Sequence, residues 1–364
     1  MGRGFILLTM LLSAAIGLLT VPLCIRISHR FDLLDRPGRH KRHKRPVPFL
    51  GGVALFLSVW LTVLVMSLVF HRTLADYTPV LPYVLAGAMI ILLVGLSDDL
   101  QPVNPWVKLG AQVSAGLVLY LGGMRIEPVA VPFIGMVSHG GLTFLLTMLW
   151  VVGLTNAVNL IDGLDGLAGG VGLIAAGTML VIGMLYAVSG VVLFASVLVG
   201  FLVVFLLFNR YPARIFLGDS GSLQLGYYFA VVSLLVPIKS FTAAALYLPL
   251  LTLGVPLLET VSSIVRRLLS GRQLMRADRR HLFHYLELLG LSPRRVVLVF
   301  YGCSLVFSGF TLAMYFWNRR LVFGLLVLFM VVILGAFFIL LTTSSRLRRF
   351  GRMSRNGENR RMEQ

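Results

Sequence analysis

Charge is scarce in this chain. Only 13% of its 364 residues are Asp, Glu, Lys or Arg, and 58% are hydrophobic. A water-soluble protein carries about 25% charged residues, so one soluble core of this size is a poor reading. Acidic residues are the scarcer sign: 14 Asp and Glu stand against 32 Lys and Arg, a formal charge of +18. Cysteine is almost missing. Cys24 and Cys303 lie in or beside apolar runs far apart in sequence, which offers neither a disulfide framework nor metal-ligand spacing; both read as packing residues. Walker A, HExxH and GxSxG patterns are absent, which removes the usual signals for P-loop, zinc-protease and serine-hydrolase chemistry. Internal repeats are absent too, and low complexity is confined to the Arg-rich tail.

Apolar runs are what the chain has in abundance. Many have the length of roughly 20 residues that a helix needs to cross hydrocarbon. Eleven candidate spans read as 4–24, 50–70, 80–96, 105–122, 142–156, 166–187, 190–208, 221–237, 242–264, 295–316 and 321–342. The expected fold is therefore an all-α polytopic integral membrane protein. The fifth run is short and ends in amides and carboxylates, as would a helix that stops in a protein-lined cavity. The first resembles a signal peptide, but ten more spans and eight Lys/Arg follow it, so an uncleaved anchor is the better reading.

The excess of positive charge does not point to nucleic acid, because of where it lies. Odd-numbered loops and the tail hold 26 Lys/Arg; the amino terminus and even-numbered loops hold 6. The positive-inside rule then places the odd loops and the carboxyl terminus in the cytoplasm and the amino terminus outside. Residues 1–342 read as one transmembrane catalytic domain with cytoplasmic loops 25–49, 97–105, 156–166, 209–220 and 265–295. Residues 343–364 form a basic tail suited to anionic lipid, as are the basic loops. The outer loop 122–141 holds Arg125-Ile126-Glu127-Pro128-Val129, read as a short hairpin.

The polar motifs share the parity of the basic loops: His43 and Lys44 in loop one, Asp98 and Asp99 in loop three, Asn156 to Gly170 around loop five, Asp219 in loop seven, His281 and His284 in loop nine. Merely solvated residues would scatter over both faces, so one cytoplasmic site is expected. Asp98-Asp99 repel each other unless a cation is near, or else cap a helix at the membrane edge. Lys108 is either an interface anchor or reaches back to phosphate. Asn159 and Asp162 lie three apart, on one face of a helical turn, and the glycines at 163, 166, 169 and 170 allow close backbone approach. Gly218-Asp219-Ser220-Gly221-Ser222 opens a span, and a helix amino terminus with free amides is an anion site, or an ordinary cap. Asn209 and Phe216 offer a base-recognising amide and a stacking ring, or simply packing. Arg276 to His284 sets imidazoles among arginines, which favours phosphate over metal, or else is simply a basic topology signal; Arg39 to Pro46 in loop one has the same two readings. Together these fit Mg2+-assisted transfer of a phosphorylated group.

These blocks resemble the polyprenyl-phosphate N-acetylhexosamine-1-phosphate transferases, in their WecA/TagO-like branch related to MraY. The resemblance covers roughly residues 30–295. It rests on Asp35-x-Pro37 through Lys41-x-His43 to Pro48-x-x-Gly51-Gly52; Asp98-Asp99; Asn156-x-x-Asn159-x-x-Asp162-Gly163-Leu164-Asp165-Gly166-Leu167; Asn209-x-x-Pro212-Ala213 to Gly218-Asp219-Ser220-Gly221-Ser222; and Ala277-Asp278-Arg279-x-His281-Leu282-x-His284. It implies transfer of a sugar 1-phosphate, by family default GlcNAc-1-phosphate, from a UDP-N-acetylhexosamine to undecaprenyl phosphate in the bacterial cytoplasmic membrane, an early step of cell-envelope polysaccharide synthesis. It also implies Mg2+ (Mn2+ as substitute) on Asp219 with Asn159. Leu164, Asp165, Asn209 and Phe216 match nucleoside-pocket positions; Lys44, Lys108, His281 and His284 match positions around the phosphates. His43, Asn156, Asp162 and Arg279 join the substrate contacts. A homodimer stays open.

This chain departs from the pattern at Phe283, where the family usually has His, at His40 for Arg, and at Glu259, where Asp is common. Asp98 as a base for the acceptor phosphate has little to add, because a phosphate monoester with a second pKa of about 6 is already mostly dianionic at pH 7. Asp98 and Asp99 would instead order Lys108 or a metal-bound water. The rival donor is UDP-MurNAc-pentapeptide, against which Ala277-Asp278-Arg279 argues. A transporter or flippase would carry its charges at mid-membrane, and a CDP-alcohol phosphotransferase needs a longer Asp-rich helix.

Overall fold

Helices make up nearly all of the structure, a computed structural model that describes residues 2–37, 45–126, 129–131, 135–137, 140–235, 252–269, 282–318, 320–332 and 335. In chain order they are α1 (Arg3–Arg30), α2 (Gly51–Val69), α3 (Leu81–Leu100), α4 (Pro105–Leu121), α5 (Gly140–Ile161), α6 (Leu167–Leu185), α7 (Ser189–Asn209), α8 (Gly218–Leu235), α9 (Gly254–Leu269), α10 (Leu282–Leu288), α11 (Pro293–Phe316) and α12 (Arg320–Val332). Seven of them, α1, α2, α3, α5, α6, α7 and α11, are long and apolar enough to cross a membrane. Their outward faces carry Leu7, Leu19, Leu68, Leu149, Leu207, Leu298 and Phe316 exposed, an apolar surface that water would not tolerate but acyl chains do. The protein is a polytopic membrane protein.

Two helices form the centre. α7 packs against α1 and α6, and α8 lies between α3 and α5 with α2 across it. α8 is buried from Ser220 to Ser233. Glycine lets its neighbours come close enough to touch its backbone: a Cβ on Gly95 of α3 would sit 2.4 Å from Cα of Ser220, and one on Gly52 of α2 would sit 2.3 Å from the amide nitrogen of Gly221. Aromatic side chains fill the layers beyond, with Phe194, Phe201, Phe205, Tyr227, Tyr228 and Phe229 fully buried. Their polar atoms are partnered, as burial in hydrocarbon demands. Trp60 Nε1 donates to Tyr228 Oη at 3.1 Å, and Tyr227 Oη donates to the Val84 carbonyl at 3.0 Å.

The spans differ from the sequence reading at the ends that matter most. The fifth does not stop at 156: α5 has 22 residues and continues to Ile161. Its amides have side-chain partners, so the helix can carry them without ending. α3 runs to Leu100 and α8 begins at Gly218, so Asp98, Asp99, Asn159 and Asp219 all stand on helix turns, not in loops. The all-α reading needs a small amendment. β1 (Leu34–Asp35) pairs antiparallel with β2 (Val47–Pro48), and β3 (Val129–Val131) with β4 (Gly135–Val137). The second pair, 129–131 with 135–137, begins where the hairpin expected over Arg125 to Val129 ends. The first part of the ninth span, the end of the eleventh and the basic tail lie outside the described residues.

Candidate active site

Four helix ends meet at one point: the last turns of α3 and α5 and the first turns of α4 and α8. The chain makes this possible between α3 and α4 with a short return. Asn104 caps α4 by accepting the Trp106 amide at 2.9 Å, and Pro105 holds the first helical position. Lys108 therefore sits one turn into α4, pointing back at the end of α3. Its ammonium contacts Asp98 Oδ2 at 2.5 Å and Asp219 Oδ2 at 2.6 Å. Asp98 is held from its other oxygen by the Val103 amide at 2.7 Å.

Asp99 points elsewhere. It accepts the backbone amides of Asp219 at 2.7 Å and Ser220 at 3.0 Å, and so caps α8 from another helix. Gly218, at φ +72°, makes the left-handed turn that starts α8; a Cβ there would lie 2.7 Å from Asp99 Oδ2. Asn159 approaches from α5, its Nδ2 donating to Ser222 Oγ at 2.8 Å and reaching Asp219 Oδ1 at 3.2 Å. One turn deeper, Asn156 Nδ2 donates to Gln112 Oε1 at 2.6 Å, tying α5 to α4.

Asp162 follows α5 directly. Burial first, then the charges of Asp219, Asp99 and Asp165, push its carboxyl up to about 8. Among the described residues, the site holds more carboxylate than the ammonium of Lys108 offsets.

Around this centre, loop residues are tied to one another. Asn209, buried at the end of α7, accepts the Gly166 amide at 3.0 Å and donates to the Ile215 carbonyl at 2.8 Å. Asp165 accepts the Ala213 amide at 3.0 Å. Leu164 is buried. Phe216 is half-buried, and its backbone pairs with Pro48 and Gly51 at 2.7 and 3.1 Å. His284 lies on α10, its ring stacked on Phe283 at 4.4 Å between centroids. Phe283 is buried against the glycine loop: a Cβ on Gly163 would lie 2.4 Å from its Cζ. At this departure from the family pattern the side chain thus packs under the loop. His43, Lys44, Arg279 and His281 lie outside the described residues.

The sequence marks Glu259 only as a departure from the family pattern and gives no role to several other residues of the site. Glu259, fully buried on α9, accepts the Leu282 amide with both oxygens at 3.1 and 3.0 Å and so holds the start of the helix that carries His284. Tyr301 on α11 donates to the Gly166 carbonyl at 2.6 Å. Gln112 and Ser222 partner the two asparagines. A lone Gln in an apolar span was a usable signal; Tyr301 gave none, because a tyrosine in a span usually packs.

The model of glycosyl transferase family 4 matches residues 81–237, the stretch that carries Asp98, Lys108, Asn159 and Asp219. Over 332 residues the chain is 32% identical to a probable undecaprenyl-phosphate N-acetylglucosaminyl 1-phosphate transferase of Bacillus subtilis, spanning 90% of this chain and 91% of that protein. The chain belongs to glycosyl transferase family 4. Other members are also similar. A decaprenyl-phosphate N-acetylglucosaminephosphotransferase of Mycobacterium leprae is 34% identical over 76% of this chain and 75% of its own. A phospho-N-acetylmuramoyl-pentapeptide-transferase of Shouchella clausii is 29% identical over 83% of this chain and 95% of its own.

Proposed function

We propose that this protein transfers N-acetylglucosamine 1-phosphate from UDP-GlcNAc to undecaprenyl phosphate, releasing UMP. One observation carries the reading: Asp98, Lys108, Asn159 and Asp219 converge from four apolar helices on one point at one end of the bundle. A site there can meet a water-soluble nucleotide sugar and a lipid-borne phosphate together. A transporter would need its charges midway along the spans. A relative matched over 90% of this chain and 91% of its own bears the undecaprenyl-phosphate GlcNAc name, which supports this donor.

In the reaction an oxygen of the lipid phosphate attacks the β-phosphorus, and the bond from that phosphorus to the oxygen bridging it to UMP breaks. The attack is in line, so catalysis is chiefly positioning and charge stabilisation. Lys108 and His284 hold phosphate oxygens. Asp98 orients Lys108, Asp99 sets the first turn of α8, and Asn209 and Asp165 fix the loop that borders the nucleoside.

The donor set suits Mg2+. It is all oxygen and amide, and burial, together with the charges of Asp219, Asp99 and Asp165, raises the Asp162 carboxyl to about 8. Among the described residues no three His, Cys, Asp or Glu side chains converge as a ready-made cage, but Mg2+ typically takes one or two carboxylates and completes its shell with substrate oxygens and water. Asp219, with Asn159 beside it, would hold the ion. When bound, it offsets charge on the pyrophosphate.

Eleven spans, an outer amino terminus and a cytoplasmic site in the bacterial inner membrane complete the proposal, supported by the 26-to-6 division of Lys/Arg between loops. Purified protein incubated with undecaprenyl phosphate, Mg2+ and radiolabelled UDP-GlcNAc or UDP-MurNAc-pentapeptide tests it. Labelled lipid is expected from UDP-GlcNAc. Product from the pentapeptide donor alone would reassign the donor, and none from either would end the enzymatic reading.

A further inference from the structure

The position best suited to a cation at this site is already taken by one. Lys108 Nζ lies 2.6 Å from Asp219 Oδ2 and 2.5 Å from Asp98 Oδ2, and the three side chains are 23%, 31% and 17% exposed. An ion bound to Asp219 at the usual Mg2+–oxygen distance of about 2.1 Å and the ammonium cannot share that oxygen without two positive charges in near contact. One must leave.

We propose that Lys108 is the resident counter-ion of the free protein, and that a divalent ion enters Asp219 efficiently only when a pyrophosphate arrives to take the ammonium in exchange. This rests on the reading of Asp219 as the metal ligand. The physical case is one of partners. A metal ion arriving alone evicts Lys108 from one of its two carboxylates and gives it nothing in return, in a site that is largely buried. A metal ion arriving with a pyrophosphate brings oxygens that accept the displaced ammonium. The flexible four-carbon stem of lysine permits the swing, while Asp98, held by the Val103 amide, keeps the ammonium within reach. By linkage, metal and nucleotide then raise each other's affinity by the same factor. The exchange also keeps Asp219 and Asp98 from repelling each other unscreened, so one lysine offsets part of their charge before binding and grips phosphate after it.

The test is a Mn2+ titration of the full-length protein in detergent, without nucleotide, following free Mn2+ by electron paramagnetic resonance. Lys108→Met and Lys108→Gln are compared with the unchanged chain, and Asp219→Asn is made in each background. Removing the ammonium should tighten Mn2+ binding by about tenfold, in the range usual for coupling between sites, and Asp219→Asn should abolish the gain. Thermal melts give a second reading: Mn2+ should raise the melting temperature of the Lys108 variants more than that of the unchanged protein. Unchanged or weaker Mn2+ binding in folded Lys108 variants, with Asp219→Asn still losing Mn2+, overturns the exchange alone. Mn2+ binding indifferent to Asp219→Asn in every background overturns the metal assignment and the exchange with it.

Discussion

Asp99 accepts the backbone amide of Asp219 at 2.7 Å, joining the end of α3 to the start of α8 across 120 positions of sequence. The two neighbouring aspartates of the Asp98-Asp99 pair therefore do different work. Asp98 faces Lys108; Asp99 fixes the turn on which Asp219 stands. Loss of an N-cap costs about 1–2 kcal/mol, and a buried amide left without an acceptor adds to that. Asp99→Ala should lower the melting temperature in detergent and abolish turnover, with Asp99→Asn milder because one acceptor oxygen survives. Asp98→Asn should lose turnover at a nearly unchanged melting temperature. A normal melting temperature for an inactive Asp99→Ala would assign Asp99 to substrate instead.

Glycine contacts set how close the helices come. A Cβ at Gly95 or Gly52 would meet the backbone of α8 at 2.4 or 2.3 Å, whereas one at Gly177 meets nothing within 4 Å. Gly95→Ala and Gly52→Ala should destabilise the fold by the roughly 1–3 kcal/mol typical of overpacking and displace Asp219, with turnover lost. Gly177→Ala should be silent in both melting and activity assays.

The carboxyl of Asp162 is raised from an ordinary 3.8 to about 8. Between those values the folded protein holds a proton that the unfolded chain has released, so stability falls as pH rises. Without metal, the contribution is complete below about pH 4 and is lost as pH passes 8. Melts of metal-free protein from pH 5 to 8.5 should show that decline, and Asp162→Asn should flatten it. An unaltered slope in Asp162→Asn would place the titrating group elsewhere.

Tyr301 holds the carbonyl of Gly166 at 2.6 Å while Asn209 holds its amide at 3.0 Å. Gly166 needs both, since it stands at φ +78° where the glycine loop turns into α6. Tyr301→Phe removes one hydrogen bond, worth about 1 kcal/mol, and should raise KM for the nucleotide sugar several-fold with kcat little changed. Equal loss in kcat at constant KM would show that the hydroxyl serves the reacting centre and not the loop.

Much of this site was legible in the sequence because chemistry is expensive in hydrocarbon. Asp98, Lys108, Asn159, Asp162 and Asp219 stand out in a chain with 13% charged residues, and their positions after alternate spans predict a common face. The ends of the helices were less legible. Hydropathy marks where apolar residues stop, and α3 and α5 continue as helix past that point because Asp98, Asp99, Asn156 and Asn159 find partners there. Partnership is invisible to a window of neighbouring residues.

The sequence by itself determined that the chain crosses a membrane repeatedly, which residues could carry the chemistry, and the family whose motifs it shares. Each follows from local composition and spacing, which the chain states directly. Tertiary structure alone decided what each polar group does. The capping of α8 by Asp99, the pairing of Lys108 with two aspartates from different helices, and the holding of Gly166 by Asn209 and Tyr301 depend on helices that meet at a few ångströms after long separations in sequence. Those meetings are set by glycines and side-chain shape across interfaces, and no single stretch of chain contains both sides of an interface.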